Sequence, residues 1–160
     1  MAAASAPSCF MRSRSGLDVL GDRDRNEHGR AQQARPRDAL GRPLPYGAEG
    51  VEPISEEPLA PAETLAYARR LLDEGRPFAA HEALEVRWKS CPEEERELWQ
   101  GLAQLCVGLT HHARGNKVGA SRLVERASGR LAAYEDAAGP TYGLDLRSLI
   151  ACARVRVLDD

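Results

Sequence analysis

Between Leu98 and Thr110 the chain carries no charged side chain, and two glycines, Gly101 and Gly108, interrupt the run. At 100° per residue Leu98, Leu102, Leu105 and Leu109 make one stripe, while Gln100, Gln104, Val107 and His111 make a second on nearly the opposite side. A helix uncharged all round for three turns is the central element of its domain, covered on several sides by others. Glycine in a helix interior costs about 1 kcal/mol relative to alanine, so two of them on one strip imply that another backbone approaches closely there. The competing use of that strip is a gap that admits a ligand.

Around this helix the periodicity predicts four more, giving an all-α antiparallel bundle of about five helices over residues 61–160. The first runs from Pro61 to about Glu74, with Gly75 placed to end it in a left-handed conformation, and the second from Pro77 to about Lys89. Pro92 stands at the first position of the third, followed by Glu93, Glu94 and Glu95, acids that suit the positive end of a helix dipole. Gly115 stops that helix and Asn116 caps the fourth, which ends before Gly139 and Pro140. The fifth runs from about Asp145 to Leu158. It either closes the bundle or packs against a second copy.

Residues 1–60 hold most of the ten prolines and little apolar periodicity, so they are expected to be disordered alone or to wrap over the domain. Within them Arg23, Arg25, Arg30, Arg35, Arg37 and Arg42 form an Arg-rich arm of the kind that approaches phosphates. Asp22, Asp24, Glu27 and Asp38 dilute that field, and a net charge of −2 gives no general reason to expect a nucleic-acid partner. The opening segment, rich in Ala, Ser and Arg, has some resemblance to a transit peptide but lacks the apolar core of a signal peptide. No apolar run approaches the ~20 residues of a spanning helix, and Cys9, Cys91, Cys106 and Cys152 form no close pair, so a reducing cytoplasm is expected.

Chemistry concentrates on the second helix. His81, Glu85 and Trp88 share a face, with Glu82 a quarter-turn away, and Gln100, Gln104 and His111 are available from the third helix to meet them. Three readings stay open. The groups form a buried hydrogen-bond network that fixes helix register. Alternatively His81, Glu85 and His111 hold a divalent metal and Glu82 acts as base on its water, although H-E-x-x-E is not the zincin motif. Or they floor a polar cleft for a small ligand or peptide. No catalytic residue is assigned: Cys106 lies in the apolar helix and no serine has a glycine elbow.

H-E-A-L-E-V-R-W from His81, Q-G-L-A-Q from Gln100 and H-H-A-R-G-N-K-V-G-A from His111, in that order, resemble the domain-of-unknown-function family 309. The resemblance spans about Leu65 to Leu131 and implies a small all-helical fold of bacterial and plastid proteins; it implies architecture and not an activity. The matching motif positions are His81, Glu82, Glu85, Trp88, Gln100, Gly101, Gln104, His111, Gly115 and Asn116. R-P-R-D-A-L-G-R-P-L-P resembles an N-terminal extension in a subset of members. Pro77-Phe78-Ala79-Ala80 departs from relatives that place a further aromatic and an acid before the histidine.

The resulting expectation is a non-catalytic binding or interaction module with a cleft of His81, Glu82, Glu85, Trp88, Gln100, Gln104 and His111. No cofactor is required. A metal-dependent hydrolase is the alternative, and a nucleic-acid-associated protein the second.

Overall fold

Gly75 and Gly115 end their helices at φ 73° and 83°, a region open to glycine at little steric cost. In each case two backbone bonds close the helix end: Arg76 N–H donates to the Leu71 carbonyl and Gly75 to Leu72, as Asn116 does to His111 and Gly115 to His112. The computed structural model describes residues 35–158 of a chain that divides into two units, Met1–Arg35 and Pro36–Asp160. The second unit contains α1 (Pro61–Asp73), α2 (Pro77–Ser90), α3 (Arg96–Ala113), α4 (Lys117–Asp136) and α5 (Leu146–Leu158). The fold is all-α; among the described residues the β pairing is one bridge between Arg37 and Pro43.

The start of the third helix differs from the expectation. Pro92 precedes a single 3₁₀ turn, Glu93–Glu95, and α3 begins only at Arg96. The tighter turn faces Glu95 inward, leaving it 6% exposed, while Glu93 and Glu94 face solvent. Asn116 caps α4 as its position suggests, its Oδ1 accepting from Gly119 N–H at 2.9 Å. Asp145 does the same for α5 through Ser148.

α3 is the central helix, packed against α2, α4 and α5, while α1 adds to α2 and α5 to α4. Neighbours run antiparallel. Arg96 lies over the Trp88 ring at one end of the α2–α3 pair and Arg114 over the Phe78 ring at the other. A Cβ built on Gly101 would meet Leu131 at 2.7 Å, and one on Gly108 would meet Val124 at 2.9 Å. Both glycines are therefore taken up by α4, and the strip is a helix contact and not a ligand gap. The core is aliphatic around one indole, with Leu71, Leu98, Trp99, Val124, Leu131 and Leu146 almost fully enclosed.

Residues 36–52 lie on the helices as a strap. Its turn is organised by Asp38, whose Oδ1 accepts from the Leu40 and Arg42 amides and whose Oδ2 accepts from Arg42 Nε at 2.8 Å. Leu44 N–H donates to Pro36 and Val51 N–H to Arg37, closing the strap on itself.

Candidate functional site

Four turns of α3 leave one stripe half-buried, Gln100, Gln104, Val107 and His111, while most of the remaining apolar positions are enclosed. This stripe faces outward between α2 and α4. Gln100 turns to α4, where its Oε1 accepts from Arg130 Nη1 at 2.9 Å, and the same nitrogen bonds Glu97. His111 is tied to the start of α4: the Asn116 side-chain nitrogen lies 2.9 Å from its Nδ1. The sequence offered α2 as a possible neighbour for both residues; in the structure their hydrogen-bond partners belong to α4 and its cap.

On α2, His81, Glu82, Glu85 and Trp88 are all half-buried. His81 Nε2 lies 3.3 Å from Glu85 Oε2, and Glu85 Oε1 continues to Lys89 Nζ at 3.0 Å. Burial pushes the His81 ring below the ordinary histidine value; the Glu85 charge and the Phe78 carbonyl pull it up, and Lys89 adds to the lowering. The ring is thus neutral at pH 7, and the contact with Glu85 is a neutral imidazole beside a carboxylate. Burial raises the Glu82 carboxyl, Arg37 and Arg76 draw it down, and the neighbouring Glu85 charge raises it again.

The two contacting ring pairs place Trp88 at the level of Arg96 and Phe78 at that of Arg114, with Gln104 between them. Among the described residues no hydrogen bond closes the stripe into a network. Trp88 Nε1 and Gln104 Oε1 are shielded from water and have no hydrogen-bond partner among those residues. Each such atom costs about 1–3 kcal/mol, so the face is left chemically incomplete. Replacing Glu85 with alanine removes only half-exposed pairs and should cost at most about 1 kcal/mol in urea denaturation. A loss several times larger would mean that the stripe is a structural network after all.

Among the described residues no three His, Cys, Asp or Glu side chains are grouped to hold a metal ion, so His81, Glu85 and His111 are not gathered into the three-ligand set the alternative reading needs. Cys106 is enclosed, and burial pushes its thiol up to about 12, which keeps it from acting as a nucleophile. Of the arginines of the arm, Arg23, Arg25 and Arg30 lie outside the described residues, and Arg35 is half-buried. Arg37 and Arg42 are engaged within the strap, Arg37 with the Gly41 carbonyl and Arg42 with Asp38.

A second polar cluster escaped the sequence reading, and here both oxygens of the central carboxylate are engaged. Glu95 Oε2 accepts from Trp99 Nε1 at 2.9 Å and lies 3.6 Å from Arg87 Nη2; Oε1 accepts from the Tyr142 hydroxyl. The Arg87 guanidinium sits 5.5 Å from the Trp99 ring centroid, and the Tyr142 ring 6.0 Å from it. Burial pushes the Glu95 carboxyl up, but the Trp99 and Tyr142 hydrogen bonds and the Arg87 charge outweigh it and hold the group below the ordinary glutamate range. The one local signal was Trp99 four residues after Glu95, on the same helical face.

Residues 65–123 match the model of the family described as Domain of unknown function (DUF309). It is also similar to the uncharacterized protein YpuF of Bacillus subtilis (strain 168), 44% identical over 69 residues, which is 42% of this chain and 39% of that protein. The aligned part thus spans about two-fifths of the relative. No solved structure matches the chain. The matched segment contains most of α1, all of α2 and α3 and the start of α4, and hence the stripe residues. No helix among the described residues is long and apolar enough to cross a membrane.

Proposed function

We propose that the DUF309-like domain of this chain is a non-catalytic binding module, and that its ligand seats on the half-buried outer face of α3 beside Trp88. The observation that carries this reading is that, of the shielded side-chain atoms without a hydrogen-bond partner among the described residues, two are the Trp88 indole N–H on α2 and the Gln104 Oε1 on α3. One is a donor and the other an acceptor. A peptide or other amide offers an acceptor to the first and a donor to the second, and so recovers the cost of leaving them unmade. Both side chains are only half-buried, so reaching them needs side-chain movement at the surface and no opening of the core. His81, Glu82 and Glu85 border the same face and supply polarity at its edge. The three described cysteines are free, which supports residence in a reducing compartment such as the cytoplasm.

The chain has two tryptophans, so its two indole N–H resonances can be followed separately. Titrating the 15N-labelled full chain with short acetylated peptide amides should move the Trp88 resonance and leave that of Trp99, already bonded to Glu95, in place. Trp88→Phe should abolish binding. If the Trp88 resonance stays fixed through millimolar additions of these amides, the reading is wrong.

A further inference from the structure

His111 ends the half-buried stripe of α3, and its ring is held by the turn that follows. The Asn116 N–H donates to the His111 carbonyl at 2.9 Å, and the Asn116 side-chain nitrogen lies 2.9 Å from His111 Nδ1. Which of these two nitrogens gives the proton is fixed by a third bond. Asn116 Oδ1 accepts from the Gly119 N–H at 2.9 Å. A backbone N–H is only ever a donor, so the amide oxygen must face Gly119 and the NH2 must face the histidine. An amide NH2 donates and does not accept, so Nδ1 of the neutral ring is the bare, accepting nitrogen. The ring proton is then on Nε2.

Gly119 is the second part of the device. A Cβ built there would stand 2.5 Å from Asn116 Nδ2, 2.9 Å from its Cγ and 3.0 Å from its Oδ1. A side chain at 119 would therefore take the place of the Asn116 amide. Within H-H-A-R-G-N-K-V-G-A, the asparagine cap alone would need neither the histidine nor the second glycine; orienting the ring needs all three. Among the described residues His111 Nε2 has no hydrogen-bond partner, and unlike Trp88 Nε1 it is open to solvent. It stands seven residues beyond Gln104, about 10 Å along α3, with half-buried Val107 between them.

We propose that Asn116 and Gly119 are positioning residues that fix His111 as a hydrogen-bond donor through Nε2, and that this N–H binds a carbonyl of an extended peptide lying over Val107. The second half rests on the ligand face proposed above. About three residues of extended chain span the distance from Gln104 to His111. A peptide that satisfies Trp88 and Gln104 at one end thus meets a preset donor at the other.

The 15N resonances of the imidazole nitrogens test the positioning on the full chain without ligand, at alkaline pH. His111 should show a bare Nδ1 and a protonated Nε2. Asn116→Asp keeps the capping oxygen but turns the donor into a second acceptor, so Nδ1 should gain a proton while the thermal melt changes little. Gly119→Ala displaces the amide and should leave a mixture of tautomers. A protonated Nδ1 in the wild type, or the same ring state in the wild type and Asn116→Asp, overturns the positioning role. Acetylated tripeptide amides then test the contact: the His111 Nε2 resonance should move together with the Trp88 indole, and His111→Phe should weaken binding about three- to tenfold. If the Trp88 resonance moves and His111 Nε2 does not, the contact is wrong and the α3 face stands. If neither moves, the face and the contact fall together, and the ligand-free spectra alone decide the positioning role.

Discussion

Replacing Glu95 with alanine should cost about 3 kcal/mol and lower the melting temperature by roughly 10 °C. The carboxylate accepts from the Trp99 indole and the Tyr142 hydroxyl and is the counter-charge for Arg87, and Tyr142 and Arg87 both lie against the Trp99 ring. Without it the enclosed indole N–H and the Arg87 guanidinium lose their partner in a place water reaches poorly. Tyr142 would lose its anchor as well. It holds a left-handed backbone, φ 52°, that costs a non-glycine residue on the order of 1 kcal/mol, and its bond to Glu95 helps hold the α4–α5 connection against that cost. Tyr142→Phe keeps the ring and removes the donor, so it should lose only about 1 kcal/mol.

The same group sets a pH dependence. Because the folded carboxyl titrates below its unfolded value of 4.5, its stabilisation is fully present above that pH and disappears as pH falls through the lower folded value. Wild type should therefore lose stability below about pH 4.5 more steeply than Glu95→Gln. Equal slopes for the two proteins would show that Glu95 is not held in its ionised form.

Gly108→Leu should leave no folded protein at 25 °C. Even a first added carbon would stand 2.9 Å from Val124 Cγ2 with the Ala120 carbonyl and the Val124 nitrogen already at 3.4 Å, so the larger leucine side chain has no room against the α4 backbone. A leucine there forces α3 and α4 apart along their whole contact, a cost of more than about 4 kcal/mol. Gly129→Ala is the matching control. That glycine lies mid-helix on α4 with nothing within 4 Å of an added Cβ, so alanine should stabilise by about 0.5–1 kcal/mol through helix propensity alone. Circular dichroism melts of the two variants distinguish a packing glycine from an idle one.

Helix ends were legible because their signals are local: Gly75, Gly115 and Asn116 each act within a few residues of themselves. The central place of α3 was legible for a similar reason, since an uncharged helix must be covered. Glu95 was not, because a run of three glutamates reads as a solvated helix start, and its burial depends on a 3₁₀ turn and on Tyr142, 47 residues away. A helical wheel placed Gln100 and His111 on one face correctly but could not say which neighbour they meet. Arg130, 30 residues beyond Gln100, decides that. The Asp38 turn was not read from the sequence, and its seat on Phe78 joins residues with no local relation in sequence.

Two polar clusters flank α3, one centred on the Glu95 carboxylate with both oxygens engaged, and one along His81, Glu85, Trp88 and Gln104, where Trp88 Nε1 and Gln104 Oε1 have no partner among the described residues. Urea denaturation of Glu95→Ala and Glu85→Ala, measured side by side at pH 7, compares them directly. A loss of about 3 kcal/mol for the first against at most about 1 kcal/mol for the second is the expected result. Equal losses, or a larger one at Glu85, would make the His81 stripe the structural network and contradict its assignment as a ligand face.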